Sequence, residues 1–197
     1  MKEHWDLQYA QDGFAYGEAP NDFLAEVVGQ LPPGRALFLA EGEGRNAVFL
    51  AGRGWEVTAM DLSEVGLGKA RELAARRGTR LSTVQGDLAT FELGNAQWDV
   101  MVAIWCHLPS ALRREVNRRI VEALRPGGMF VMEAYTPEQL TYRTGGPPNA
   151  DMLPTLAALR TELAPLRFLQ AEEKVREIHE GRLHNGMSAV VQVLAVK

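Results

Sequence analysis

Cysteine is nearly missing from this 197-residue chain: Cys106 stands alone, which excludes an internal disulfide framework and a cysteine-ligated zinc cluster and fits a reducing cytosol. No apolar run approaches the length needed to span a membrane. The opening MKEHWDLQYAQDG carries charges and no apolar h-region of a secretory leader, so the expectation is a cytoplasmic protein with no membrane partner. Positive charge is not in excess either. The formal net charge is −4 and the arginines are scattered among acids, which removes the electrostatic reason to expect nucleic acid and points to a small-molecule partner. The histidines lack the clustered spacing of a metal site, so no metal is expected. Nothing in the composition sets an oligomeric state.

What is present is a repeated alternation of apolar runs and amphipathic segments, in a chain whose 46% hydrophobic content is enough for one substantial core. An N-terminal arm over residues 1–30 carries Trp5, Tyr9, Phe14 and Tyr16, rings expected to cover the edge of the core, and ends in a short helix capped by Asn21 or Asp22. Strands are predicted at Ala36–Leu39, Trp55–Asp61, Leu81–Leu88, Trp98–Pro109 and Met129–Tyr135. The helices between them begin at Arg45, at Ser63 as a cap, and at Pro109 or Ser110. A Pro- and Gly-rich stretch over residues 136–152 reads as a lid or as a solvated loop. A helix near Thr155–Leu163 follows, then two strand-like runs separated only by GRLHNG, which demands an antiparallel hairpin. Together these predict a single domain over 1–197 with a doubly wound, mostly parallel, seven-stranded Rossmann-like α/β sheet and an antiparallel C-terminal hairpin strand. Ligands in such sheets bind along the edge formed by the C-terminal ends of the strands.

The stretch ALFLAEGEGRNAVFLA, Ala36 to Ala51, reads as strand, tight turn, helix. Gly42 and Gly44 are expected to let a ligand approach the main chain, beside helix-opening N–H groups at Arg45 and Asn46 that have no intrahelical partners. Asp61 ends the second strand 17 residues after Gly44, where a carboxylate accepts hydrogen bonds from ribose hydroxyls, and Asp87 follows Gly86 at the third strand end. Two acids at adjacent strand ends favour an adenosine. A pyrophosphate is disfavoured by Glu41 and Glu43 in the turn, since a like-charge contact near a protein surface costs on the order of 4 kcal/mol. The ammonium and sulfonium of S-adenosylmethionine are compatible with them.

AEGEGRNAVFLA, VTAMDLS, GDL, IWCHLP, LRPGG, YTPEQL with TGGP, and EGRLHNGMSAVVQVLAVK occur in that order, and over nearly its whole length the chain resembles class I S-adenosylmethionine-dependent methyltransferases, in particular the tellurite-resistance and thiopurine methyltransferase-like proteins. The resemblance implies that the turn with Ala40, Glu41, Gly42, Gly44 and Asn46 holds the methionine end, that Asp61 and Leu62 hold the ribose, and that Asp87 with the Leu88 backbone holds the adenine. It further implies that Ile104, Trp105 and Cys106 line the methionine channel. The chain departs from the family at Phe38, where an acid is common, and at Ala40, where the first glycine is common, leaving backbone carbonyls or Glu41 to contact the ammonium.

Methyl transfer from a sulfonium is an in-line displacement that needs a nucleophile held in a dry pocket. The side chains expected at the edge as general bases or orienting groups are His107, Tyr135 and His184. His184 stands either as a substrate-orienting group, as the resemblance implies, or in a structural loop with Asn185-Gly186 as a type I′ turn. Cys106 reads as a packed small hydrophobe, not a nucleophile. The acceptor expected is a small soft nucleophile, a tellurite- or selenite-like oxyanion or a thiol. The alternatives are a nicotinamide-dependent oxidoreductase and a silent S-adenosylmethionine-binding regulator.

Overall fold

Strand β4 (Trp98–Ile104) is apolar and buried from Val100 to Ile104, as a strand covered on both faces should be. In the computed structural model, which describes residues 2–197, β4 is the middle strand of a seven-stranded sheet. In chain order the elements are α1 (Lys2–Tyr9), α2 (Asp22–Val27), β1 (Arg35–Leu39), α3 (Arg45–Ala51), β2 (Glu56–Asp61), α4 (Glu64–Arg76), β3 (Ser82–Gln85), β4, α5 (Ser110–Ala123), β5 (Leu124–Tyr135), α6 (Gln139–Tyr142), α7 (Leu156–Glu162), β6 (Arg167–Glu180) and β7 (His184–Val196). The spatial order is β3-β2-β1-β4-β5-β7-β6. Strands β1 to β5 pair in parallel, and β7 runs antiparallel to both neighbours, as the short hairpin link requires. β6 therefore points the same way as the core strands, and the turn after it lies on the ligand edge. Strand order reverses between β1 and β4, the switch point where such sheets open a crevice.

Period-two alternation divides the core into two layers. Leu37, Leu39, Met101 and Phe130 pack with Val116 and Ile120 of α5, while Phe38, Val102 and Val131 pack with Phe23 and Val27 of α2 and Ala47 and Leu50 of α3. Phe38 is fully buried in this second layer. Caps stand where expected: Asn21 accepts from Leu24 N–H at 3.1 Å and Ser63 from Gly66 N–H at 3.2 Å. Among the described residues no helix is long and apolar enough to cross a membrane.

Several boundaries differ from expectation. The arm folds as a helix, α1, held by the pairing of Lys2 with Asp6 and by Trp5 stacked on Tyr9, both one turn apart. β4 stops at Ile104, because Trp105 turns left-handed at φ 58°. The hairpin turn comprises residues 181–183, and Asn185-Gly186 lies inside β7, paired with His179 and Ile178, so the type I′ turn expected there is not formed. The turn moves because Gly181, at φ 64°, packs its bare Cα against Ala15 and Gly17 of the arm, and because His184 is drawn into a buried cluster of rings. The 136–152 stretch is anchored: Gln139 binds Thr144 Oγ1, Gly145 O and Ala189 N–H.

Candidate active site

A cavity of about 300 Å³ opens at the switch point. Of the residues predicted for the cofactor, Ala40, Glu41, Asn46, Asp61 and Leu62 line it from the β1 and β2 ends, and Asp87, Leu88, Ile104, Trp105 and Cys106 from the β3 and β4 ends. Gly42 and Gly44 do not. A Cβ on Gly42 would stand 2.5 Å from Tyr9 Oη, and one on Gly44 would stand 2.4 Å from the Ala70 Cβ. The glycines therefore seat the arm and α4 against the turn, and both adopt positive φ.

Nor are the helix-opening N–H groups all free. Glu41 Oε1 accepts from Asn46 N–H at 2.9 Å and Ala47 N–H at 2.8 Å. Burial pushes the Glu41 carboxyl up to about 7, against the opposing pull of these N–H groups and Arg45. Glu43 faces away from the cavity, accepting from Ala15 N–H at 2.6 Å and pairing with Lys69 at 3.0 Å, so any charge argument about the ligand rests on Glu41. Asp61 Oδ2 accepts from Gly42 N–H and Oδ1 from Ser63 N–H, each at 2.8 Å, which leaves further lone pairs on both oxygens. Burial raises its pKa. Asp87 is exposed at the rim, with Oδ1 accepting from Ala89 N–H at 2.9 Å. At the ends of adjacent strands, Ala40 (φ 51°) and Trp105 (φ 58°) both hold a left-handed backbone that L-residues rarely adopt.

The family described as "Methyltransferase domain" matches residues 36–128, from β1 to the glycine pair that precedes the regular part of β5. That span runs from β1 through α5 and holds most of the residues that line the cavity. The uncharacterized methyltransferase YbaJ of Bacillus subtilis (strain 168) is 30% identical over 102 residues, which make up 51% of this chain and 37% of that protein. The chain thus spans little more than a third of the curated relative it matches. Two solved structures share the fold over the whole chain. One, concerned with conversion of a disulfide bond into a thioacetal group during echinomycin biosynthesis, has a TM-score of 0.79 and 18% identity and is covered over 91% of its length. The other, TehB from Haemophilus influenzae, has a TM-score of 0.74 and 18% identity, with 66% of its chain covered. Magnesium protoporphyrin IX methyltransferase (ChlM) from Synechocystis PCC 6803, solved with bound SAH, has a TM-score of 0.67 and 18% identity over 88% of this chain and 80% of its own. These neighbours share the seven-stranded, mostly parallel Rossmann-like fold of this chain.

A second group of side chains joins Trp105 and His107 of the matched segment to Tyr135 and His184 beyond it. Trp105 stacks on Tyr135 with centroids 4.5 Å apart and meets His184 edge-on at 5.0 Å, while His107 stacks on Tyr135 at 5.5 Å. Of the three predicted catalytic residues, only His107 lines the cavity; Tyr135 and His184 sit behind Trp105, buried. His107 Nε2 accepts the Tyr135 backbone N–H at 3.0 Å, so that nitrogen has no free lone pair, and burial pushes its pKa down to about 4. His107 thus lines the cavity with Nε2 engaged as a hydrogen-bond acceptor. Burial likewise pushes His184 down to about 3, and its Nδ1 and the Tyr135 hydroxyl are buried without a hydrogen-bond partner. The Cys106 thiol is pushed up to about 12 by burial, which keeps it protonated as part of the wall.

Sequence reasoning missed the polar hub beneath these rings. Glu180 Oε2 accepts from Arg45 Nη2 at 2.5 Å and from Trp105 Nε1 at 2.6 Å, and Oε1 accepts from Asn21 Nδ2 at 2.9 Å. Arg45 and Trp105 both line the cavity. Of the arm rings the sequence singles out, Trp5, Tyr9 and Tyr16 line the cavity as well as covering the core. The only signal for these was their density in a polar arm.

Proposed function

We propose that the chain, acting as one domain over residues 1–197, is an S-adenosylmethionine-dependent methyltransferase that passes a methyl group by direct in-line displacement to a small soft nucleophile, with a thiol favoured over an oxyanion. The observation that carries this reading is the lack of an available base among the three predicted catalytic side chains. The His107 nitrogen is occupied by the Tyr135 N–H, and burial pushes His107 down to about 4 and His184 down to about 3, which leaves both weak bases. An acceptor that has already lost its proton to solvent near neutral pH, as an acidic aryl thiol has in its thiolate form, needs no base. The preference for such a thiolate over an oxyanion follows from the wall: the one arginine lining the cavity, Arg45, is bound to Glu180, so no cation is left to hold several oxygens, whereas an aryl thiolate spreads its single charge into its ring. Polarisable sulfur also suits a wall of aromatic rings.

The residues present fit the cofactor. Bound S-adenosylmethionine supplies a methyl group activated by its sulfonium. Glu41, buried with a carboxylate on the cavity, stands in for the acid lost at Phe38 and holds the ammonium. Asp61, with Leu62 beside it, takes the ribose hydroxyls, and Asp87 with the Leu88 backbone takes the adenine. Asn46, with Ala40 and the glycine turn behind it, closes the methionine end, and Ile104 to Cys106 wall the channel. Trp105, Tyr135 and His184 exclude water from the acceptor side, and Gly145 and Gly146 of the 136–152 lid pack directly on Tyr135. His184 and Tyr135 back this wall and fix the Trp105 ring that faces the acceptor.

A thermal-shift titration with S-adenosylhomocysteine and, separately, NADH tests the cofactor; stabilisation by NADH alone overturns the reading. An acceptor screen with aryl thiols, tellurite and selenite, scored by release of S-adenosylhomocysteine, tests the substrate class. Turnover is expected with thiols. Binding without release in any arm would leave a silent cofactor-binding protein and refute the transfer.

A further inference from the structure

The loop that follows β3 has no strand partner, yet Gly86, Asp87, Leu88 and Ala89 all line the cavity. Inside the loop, Thr90 N–H and Phe91 N–H donate to Asp87 O at 2.9 and 2.7 Å, forming a single helical turn. That turn leaves its last carbonyls unpaired, as helix ends do. A side chain from another element fills the need. Arg119 of α5 donates from Nη1 to Phe91 O at 2.8 Å and from Nη2 to Leu88 O. Its side chain is only 15% exposed, Glu115 Oε1 is 3.6 Å from its Nε, and Nε has no hydrogen-bond partner. The two nitrogens of one rigid guanidinium thus fix the separation of two carbonyls three positions apart.

This clamp is continuous with the rest of the site. The Phe91 ring lies over Gly86, where a Cβ would come within 2.7 Å of Cδ2, and Gly86 N–H donates to Asp61 O at 2.9 Å. The position of Phe91 therefore sets that of Gly86, and through it where Asp87 and the Leu88 backbone stand relative to Asp61. Arg119 does not line the cavity itself.

We propose that Arg119 is a positioning residue that sets base specificity: by holding residues 86–91 in one conformation it lets the pocket distinguish adenine from a purine lacking the 6-amino group. The inference rests on the adenosine reading above. Lysine is not an adequate substitute, because a single ammonium on a flexible stem does not hold two carbonyls at a fixed spacing.

The test is calorimetric titration of the wild type, R119A, R119K and R118A with S-adenosylhomocysteine and with S-inosylhomocysteine, in which the 6-amino group is replaced by a carbonyl. Arg118, the exposed neighbour paired with Glu115 and Glu122, serves as the control. The wild type and R118A are expected to prefer the adenine ligand. In R119A the preference is expected to fall by about tenfold, with the loss falling on the adenine ligand, as removal of charge-assisted hydrogen bonds from a loop would produce. R119K is expected to recover less than half of it, and the same loss in R119K decides the matter if R119A does not fold. Undiminished preference in a folded Arg119 variant overturns this assignment alone. A wild type that binds neither ligand overturns the function proposed above together with this assignment.

Discussion

The two ends of the cavity are built from chain segments of very different separation. At the cofactor end, Glu41 reaches Asn46 and Ala47, and Asp61 reaches Gly42 and Ser63, in contacts within or between consecutive strand-helix units. All of it lies inside the matched span 36–128. At the ring end, Tyr16, Trp105, Tyr135 and His184 come from the arm, the turn after β4, β5 and β7, and Glu180 joins Asn21, Arg45 and Trp105 across most of the chain. A turn motif can specify its own contacts locally, whereas a ring cluster of this kind exists only once the sheet and its hairpin have closed.

The largest test of this division is Glu180→Ala. It leaves the Arg45 charge buried and the Trp105 Nε1 without an acceptor, and a loss of about 3–5 kcal/mol in urea unfolding is expected. Because Arg45 lines the cofactor turn, S-adenosylhomocysteine affinity should fall as well; unchanged affinity would show the two ends to be independent. Next comes Asp61→Ala, for which calorimetry should find cofactor binding weaker by about 1–3 kcal/mol with the acceptor KM little changed.

Acidification probes Glu41. Its carboxyl sits at about 7 in the free protein, and a neighbouring ammonium favours the ionised form, so affinity should be full above that pH and lost as pH falls below it. The expected limiting slope is about tenfold per pH unit, and Glu41→Gln should flatten the profile. If the slope survives in the glutamine variant, Glu41 is not the ammonium partner.

On the ring side, Tyr135→Phe removes a buried hydroxyl that has no partner, so thermal unfolding should report a gain of about 1 kcal/mol while the acceptor KM rises and cofactor affinity stays put. A stability loss would mean that the hydroxyl is satisfied in solution. The smallest effect is expected for Ala40→Gly. Relief of a left-handed alanine, worth roughly 1–2 kcal/mol, is offset by the glycine's greater unfolded-state freedom, leaving a gain below about 1 kcal/mol in Tm-derived stability.

Much of the fold was legible because each strand carried its own signal. The unbroken apolar run of β4 marked a central strand, the Ser63 cap and the Leu67, Ala70, Leu73, Ala74 face marked α4, and the short link after Glu180 required β7 to run antiparallel. For the glycine turn the sequence marks the place, but what packs over Gly42 and Gly44, here Tyr9 and Ala70, is set by the fold. The spacing of His107 placed it at the ligand edge, and it does line the cavity, but only the folded chain brings the Tyr135 N–H onto its nitrogen.

By itself, then, the order of residues determined the alternating sheet, the position of the crevice and the acids at adjacent strand ends, since periodicity, caps and turn chemistry act over a few neighbours. Only the tertiary structure decided which of those groups are free to act. A lone pair, a charge or a glycine's open side is occupied by whatever the fold carries to it, and for Glu43, Arg45 and His107 that partner is 26 or more residues away, in Lys69, Glu180 and Tyr135.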